Sequence, residues 1–238
     1  DQTIISGRDG QVVIRGAVND NDLKLFQVEF SPLTSLLTFQ LINQAEVEVE
    51  RDRPLGLWKA QKLPEIRYLI RLLAQDELGH QKSDQIRVTL DNTLPVVQIT
   101  GPRNGENVLK QVNILATTSD RHLDRYRLDY TVALAANEWL QIYVQGGLYQ
   151  KNESQREKSL QLIQDEINQD WEIPVLAGSV WIRLTATDIA GNSSSQTIQV
   201  EVPTAVETRK GGIISPENRQ AELYFPPNTL AKDSIVTV

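Results

Sequence analysis

The chain has 238 residues, of which 40% are hydrophobic and 23% charged; this is ordinary globular usage at a length of about two domains, and it excludes disorder, collagen and low-complexity fibre. Mean hydropathy is -0.33 and no apolar run approaches the about 18 residues of a membrane helix, so the sequence predicts no membrane insertion and no leader of its own. The net charge of -7 without a basic cluster argues against nucleic acid as a partner, while the absence of Cys removes disulfides, thiolate zinc sites and thiol nucleophiles. Met is absent as well, and the two absences together read as a segment of a longer exported protein that begins after a processing point.

In chain order, Val12 and Ile14 open the first patterned stretch, and Asn19-Asp20-Asn21-Asp22 reads as a turn. Phe26, Val28 and Phe30 then alternate with Gln27 and Glu29, the period of a strand with one buried face. Glu46-Val-Glu-Val-Glu50 reads as a solvated strand, and Trp58 precedes a block formed by Ile70, Leu72 and Ala74. Asp76 to Gly79 is a turn, and Ile86 and Val88 complete the block.

The same text then recurs. Val12–Ile42 aligns without a gap to Val112–Ile142 at an offset of 100 residues. Phe26 pairs with Tyr126, Val28 with Leu128, Glu29 with Asp129, Phe30 with Tyr130 and Phe39 with Trp139. A second block follows at an offset of 112, in which Ile70-Arg-Leu72 matches Ile182-Arg-Leu184, and Ala74, Asp76 and Gly79 match Ala186, Asp188 and Gly191. Such a repeat is an internal duplication of one structural unit, and its length suits one β-sandwich of about seven strands. In the second copy the strands are predicted at Val96–Thr100 (A), Val112–Thr117 (B), Asp124–Tyr130 (C), Trp139–Val144 (C′), Val180–Thr187 (F) and Ser194–Val202 (G). Asp188-Ile-Ala-Gly-Asn192 joins F to G as a hairpin in which Gly191 supplies a positive φ. Trp139 and Trp171 read as core residues between the sheets.

These residues carry a resemblance. Leu69-Ile-Arg-Leu-Leu-Ala-Gln-Asp76 with Gly79, Asp91-Asn-Thr-Leu-Pro95, and Trp181-Ile-Arg-Leu-Thr-Ala-Thr-Asp-Ile-Ala-Gly-Asn192 resemble bacterial Ig-like or fibronectin-III-like surface repeats. The resemblance covers residues 1–203 and implies an all-β chain of tandem sandwiches: repeat one at 1–93, and repeat two at 94–203 with an insertion at 146–168. Residues 204–238 differ. Lys210-Gly-Gly-Ile-Ile-Ser-Pro216 and Leu223-Tyr-Phe-Pro-Pro-Asn-Thr-Leu230 resemble the opening of a ZU5-type domain, or else form a strand that pairs with a neighbour. Within the insertion, Ser154 and Glu157 form a capping-box pattern, and Leu160, Ile163 and Ile167 share one helical face, which predicts a short helix over a sandwich edge.

No G-x-S-x-G, H-E-x-x-H, P-loop or dinucleotide fingerprint is present. His80 falls in the first F–G turn and His122 in the second B–C loop, where both read as turn residues rather than bases. The chain therefore reads as non-catalytic. One ion-binding arrangement is expected of the loops: Asp120, Asp124, Asp188 and Asn192, with Asp91 and Asn92 of the linker, supply the oxygens that calcium favours, similar to the joints of cadherin-like arrays. The alternative is that these side chains shape turns by bonding the backbone.

The resemblance implies a structural or adhesive spacer in a large bacterial surface protein, exported to the cell exterior, whose partners are other domains of the same long chain. Two further readings stay open. One is a subunit of an extracellular filament or surface layer, with neighbouring copies pairing at the unfinished edge near Leu223–Val238. The other is a polysaccharide-binding accessory module of a secreted hydrolase, which exposed coplanar aromatics would support. Beyond the possible calcium, no cofactor is expected.

Overall fold

A computed structural model describes residues 3–34, 36–46, 49–134, 138–148, 163–174, 177–203, 205–206, 211–214, 223–229, 231 and 234–235. The chain divides into two units, Asp1–Leu94 with Ile189–Asn192, and Pro95–Asp188 with Ser193–Val238.

The strands of the first unit are β1 (Thr3–Ile5), β2 (Val12–Val18), β3 (Leu23–Pro32), β4 (Gln40–Ala45), β5 (Val49–Trp58), β6 (Arg67–Asp76) and β7 (Gln81–Leu90). They build one sheet in the order β1-β7-β6-β3-β4, while β2 and β5 form a second. The two-residue alternation turns Phe26, Val28 and Phe30 of β3 inward, where they meet Trp58, Tyr68 and Ile70. Three of these rings stack: Phe30 and Trp58 lie 5.3 Å apart, and Trp58 and Tyr68 lie 5.2 Å apart edge to face.

The second unit runs β8 (Val96–Gly101), β9 (Glu106–Asn107), β10 (Gln111–Asp120), β11 (Leu123–Thr131), β12 (Leu140–Gln145), β13 (Ile163–Glu172), β14 (Gly178–Asp188) and β15 (Ser193–Val202). The order β12-β11-β14-β15-β9 repeats that of the first unit, and β13-β10-β8 is a three-stranded sheet. Equivalent residues hold equivalent registers: Phe30 faces Ile70 and Tyr130 faces Ile182, with a bulge after Val28 and after Leu128. The core between these sheets is aliphatic, with Ile114, Leu128, Ile182 and Leu184 fully enclosed. The F–G turns are built as read, with Gly79 at φ 90° and Gly191 at φ 92°.

The helix expected over Ser154, Glu157, Leu160, Ile163 and Ile167 is corrected in its second half, since Ile163–Glu172 is a strand paired antiparallel with all ten residues of β10. Residues 149–162, which include Ser154, Glu157 and Leu160, lie outside the described residues. The misreading has a simple cause. A spacing of four fits a helical face and also an alternating strand. It is the alternation that continues, through Ile167, Gln169 and Trp171 of β13 to Ile173 just beyond it, and Ile167 and Ile173 are buried.

Beyond Val202 the second unit carries β16 (Ala205–Val206), β17 (Gly212–Ile214), β18 (Leu223–Phe225) and β19 (Ser234–Ile235). β17 pairs with β18, and β16 with β19.

Candidate functional site

The side chains that stand out lie in two places, the outer face of each five-stranded sheet and the segment that leaves the first unit. On the outer face, a residue next to an inward-facing one must point away from the core. Glu29 and Arg71 are cross-strand partners on β3 and β6. Arg71 Nη2 donates to Glu29 Oε2 at 2.7 Å and Nε at 3.1 Å, and the guanidinium lies 3.6 Å from the ring centroid of Phe39. The second unit repeats this arrangement. Arg183 Nη2 donates to Asp129 Oδ2 at 3.2 Å and stacks 3.9 Å over Trp139. There the carboxylate is more enclosed, 2% exposed, and takes a second donor from Arg127 Nε at 2.8 Å. Each trio ties three adjacent strands together, with the aromatic entering β4 or β12, the carboxylate on β3 or β11, and the arginine on β6 or β14. A planar guanidinium can hold a carboxylate by its edge and a ring by its face at once, which lysine cannot do.

Trp139 is therefore not a core residue, contrary to the expectation. Only one of the pair is, and partially: Trp171 packs half-buried against the core with its ring 4.8 Å from Tyr130. The stacked guanidinium covers one face of Trp139, as Arg71 covers Phe39.

The outgoing segment is held just as closely. Asp91 N–H donates to the Ile5 carbonyl at 2.9 Å, and Asp91 Oδ1 accepts the Thr93 N–H at 3.1 Å. Asn92 Oδ1 accepts the Gly7 N–H at 2.7 Å, while its Nδ2 donates to the carbonyls of Ala60 and Gln61, each at 3.4 Å. Glu65 completes the frame, receiving the Asn92 N–H at 3.0 Å and the Thr93 hydroxyl at 2.7 Å. Gly7 is needed in this frame because a Cβ there would lie 2.6 Å from that of Ala60. Asn192, also in the first unit, donates from Nδ2 to the Asp91 carbonyl at 2.9 Å and accepts the Ser6 hydroxyl at 2.5 Å.

Of the six residues expected to hold calcium, Asp91, Asn92 and Asn192 thus belong to the first unit. Asp120, Asp124 and Asp188 belong to the second, where the register of Leu123 opposite Asp188 brings them to one end of the sheet. Asp120 and Asp188 are buried, and Asp124 is half-buried. Asp120 Oδ1 accepts the His122 N–H at 2.6 Å, the same service that Asp20 performs for Asp22 at 2.9 Å. Carboxylates used this way hold a turn in shape.

His80 is likewise a turn residue. Its N–H and Nδ1 lie 2.8 and 2.7 Å from the two oxygens of Asp76. Desolvation raises the Asp76 carboxyl, but the ring and backbone hydrogen bonds of His80 and its charge outweigh this and hold it below its ordinary 3.8. Burial, followed by the charge of Asp165, pushes the Tyr126 phenol far above its usual range.

In both units a five-stranded sheet packs against a smaller one, β2-β5 in the first and β13-β10-β8 in the second. The fold is an all-β sandwich. No protein-family model matches the sequence, and the comparison with curated proteins finds no match. Among solved structures the chain is similar to the fibronectin(III)-like modules of CbhA from Clostridium thermocellum, at 14% identity and a TM-score of 0.42, over 84% of this chain and 89% of that one. It is also similar to a tetra-tandem repeat in the extending region of a large adhesion protein, at 13% identity and a TM-score of 0.35 over 87% and 47% of the two chains. A 1.5-MDa bacterial ice-binding adhesin is similar at 14% identity, with a TM-score of 0.32 over 87% and 63%. The sequence did not make the arginine trios of the two units legible. Their one signal was that an acid, an arginine and an aromatic recur together in the duplication, at Glu29, Arg71 and Phe39 and again at Asp129, Arg183 and Trp139.

Proposed function

We propose that this chain is a non-catalytic spacer segment of a large exported surface protein, in which fibronectin-III-like sandwiches carry load between other domains of the same chain. The observation that carries this reading is the treatment of Asp91-Asn-Thr93, which is hydrogen-bonded along its length to Ile5, Gly7, Ala60, Gln61 and Glu65. A Gly/Ser tether would leave the exit direction free, with reach growing as the square root of its length. Here Asp91-Asn-Thr93 is held by those bonds, and the following Pro95 fixes its own φ. The arginine trios support the same reading, because they add side-chain ties across ladders that would have to be pulled apart under tension.

Spin labels on exposed positions of β4 and β12 test this by pulsed dipolar spectroscopy on the full chain. A narrow distance distribution is expected, and Asn92→Ala should broaden it. A distribution as broad in the unaltered chain as in the variant removes the spacer reading.

A further inference from the structure

A cationic groove lies on the five-stranded sheet of the second unit, in a chain whose net charge is -7. Alternation brings Arg125 and Arg127 of β11 to the surface, two residues apart and thus about 7 Å along the strand. Arg127 stands opposite Thr185 of β14 and Val144 of β12, and Arg125 stands opposite Thr187. Together with Gln141 these side chains line a cavity of about 480 Å³, and no carboxylate lines it. Among the described residues no ion pair engages Arg125, and Arg127 commits only its Nε, to Asp129.

The duplication shows that the sheet itself does not require these side chains. At the equivalent positions the first unit has Leu25 and Gln27 for the two arginines, Leu41 for Gln141, and Leu73 and Gln75 for the two threonines. The register is nevertheless the same, with Leu25 opposite Gln75 and Gln27 opposite Leu73. Three leucines of one copy are thus an arginine, an amide and a hydroxyl in the other, on an unchanged ladder. Guanidinium groups hold carboxylates by two parallel hydrogen bonds, while threonine hydroxyls and a glutamine amide match the hydroxyls of a sugar. The volume falls within the about 300–1,000 Å³ of ordinary ligand clefts, which is more than a single ion needs. β11 has a neighbour on each side, so its ladder groups are taken and a peptide strand cannot be added there.

We propose that this groove of the second unit binds an acidic polysaccharide, a glycan chain that carries uronate carboxylates. Arg125 and Arg127 take the carboxylates. Thr185, Thr187 and Gln141 bond the sugar hydroxyls, and Val144 offers an apolar contact to the ring. Recognition is by side chains alone, so it is independent of the load-bearing role given to the ladders.

The probe is a fluorescently labelled oligogalacturonate, titrated into the full chain by anisotropy at low ionic strength, where exposed charges are least screened. Saturable binding is expected, and the methyl-esterified oligosaccharide, which keeps the sugars and loses the charges, should bind at least about tenfold more weakly. Arg125→Gln should weaken binding of the acidic probe by about fivefold or more at an unchanged Tm, because the side chain is exposed and no ion pair is lost. Thr185→Val, which removes a hydroxyl and no charge, should weaken it by about twofold or more. Arg87→Gln, on the first unit, should leave it unchanged. Lack of saturation, equal binding of the acid and its ester, or equal losses in Arg125→Gln and Arg87→Gln would each overturn the proposal. So would equally tight binding of an oligoglutamate of the same charge together with an unaffected Thr185→Val, since the groove would then read charge and not sugar.

Discussion

The two units run the same ladder and fill it differently. The first packs Phe30, Trp58 and Tyr68 as touching rings between a five-stranded and a two-stranded sheet. The second has three strands opposite five and fills the space with Ile99, Ile114, Leu128, Ile182 and Leu184, leaving its own aromatic pair, Tyr130 and Trp171, half-buried at the margin. Backbone register survived duplication at nearly every position, but core volume was redistributed. A ladder depends on alternation alone, while a core depends on which strands border it.

The largest test of this contrast is truncation of the equivalent tryptophans. Trp58 is 1% exposed, so Trp58→Ala should cost about 3–5 kcal/mol. Trp171→Ala, at a half-exposed site, should cost about 1–2 kcal/mol. Denaturant unfolding with separate probes in each unit measures both, and equal losses would mean that the two cores are not differently filled.

Next come the arginine trios. Asp129 is the enclosed carboxylate with two arginine donors, and Asp129→Ala should destabilise the second unit by about 1–3 kcal/mol through donors left without acceptor. Glu29 and its arginine are 15% and 30% exposed, so Glu29→Ala should cost the first unit only about 0.5–1 kcal/mol. The order of the two losses in urea midpoints is the readout, and a reversal would show that burial does not set the strength of the trio.

A smaller difference concerns pH. Asp76 is held below its ordinary 3.8 by His80, whereas the second repeat's F–G turn has Asn192 at the corresponding place. A carboxyl lowered in the folded state contributes stability that is complete above about pH 4 and disappears as pH falls through its folded value. The first unit's acid midpoint should therefore move up in His80→Asn, measured by circular dichroism between pH 2 and 5. An unchanged midpoint would show that the His80 contact adds nothing to the turn.

The smallest expected effect is that of calcium. Asp91, Asn92 and Asp120 already hold backbone amides, so millimolar calcium against excess EDTA should shift Tm by no more than about 2 °C. A rise of about 10 °C would restore these oxygens to an ion.

Period two, the turn signals and the recurrence of Phe26, Val28, Ile70 and Leu72 as Tyr126, Leu128, Ile182 and Leu184 were enough to place six strands of the second unit in the sequence. Inward and outward positions follow from alternation, so these elements need no tertiary information. β13 was not legible, because Ile163 and Ile167 suit either period and only the ten-residue partner β10 decides between them. Trp139 was misplaced for a related reason. A bulky aromatic reads as core until an arginine from another strand is known to cover it. The hydrogen bonds of the linker were not legible either, because Asn92 meets Gly7, Ala60, Gln61 and Glu65 from distant parts of the chain. The amino-acid order by itself determined the duplication and the strands whose alternation is unambiguous, since these depend on neighbours in sequence. Only the tertiary structure decided which strand borders which and which polar side chains are joined, because each depends on residues brought together across tens of positions.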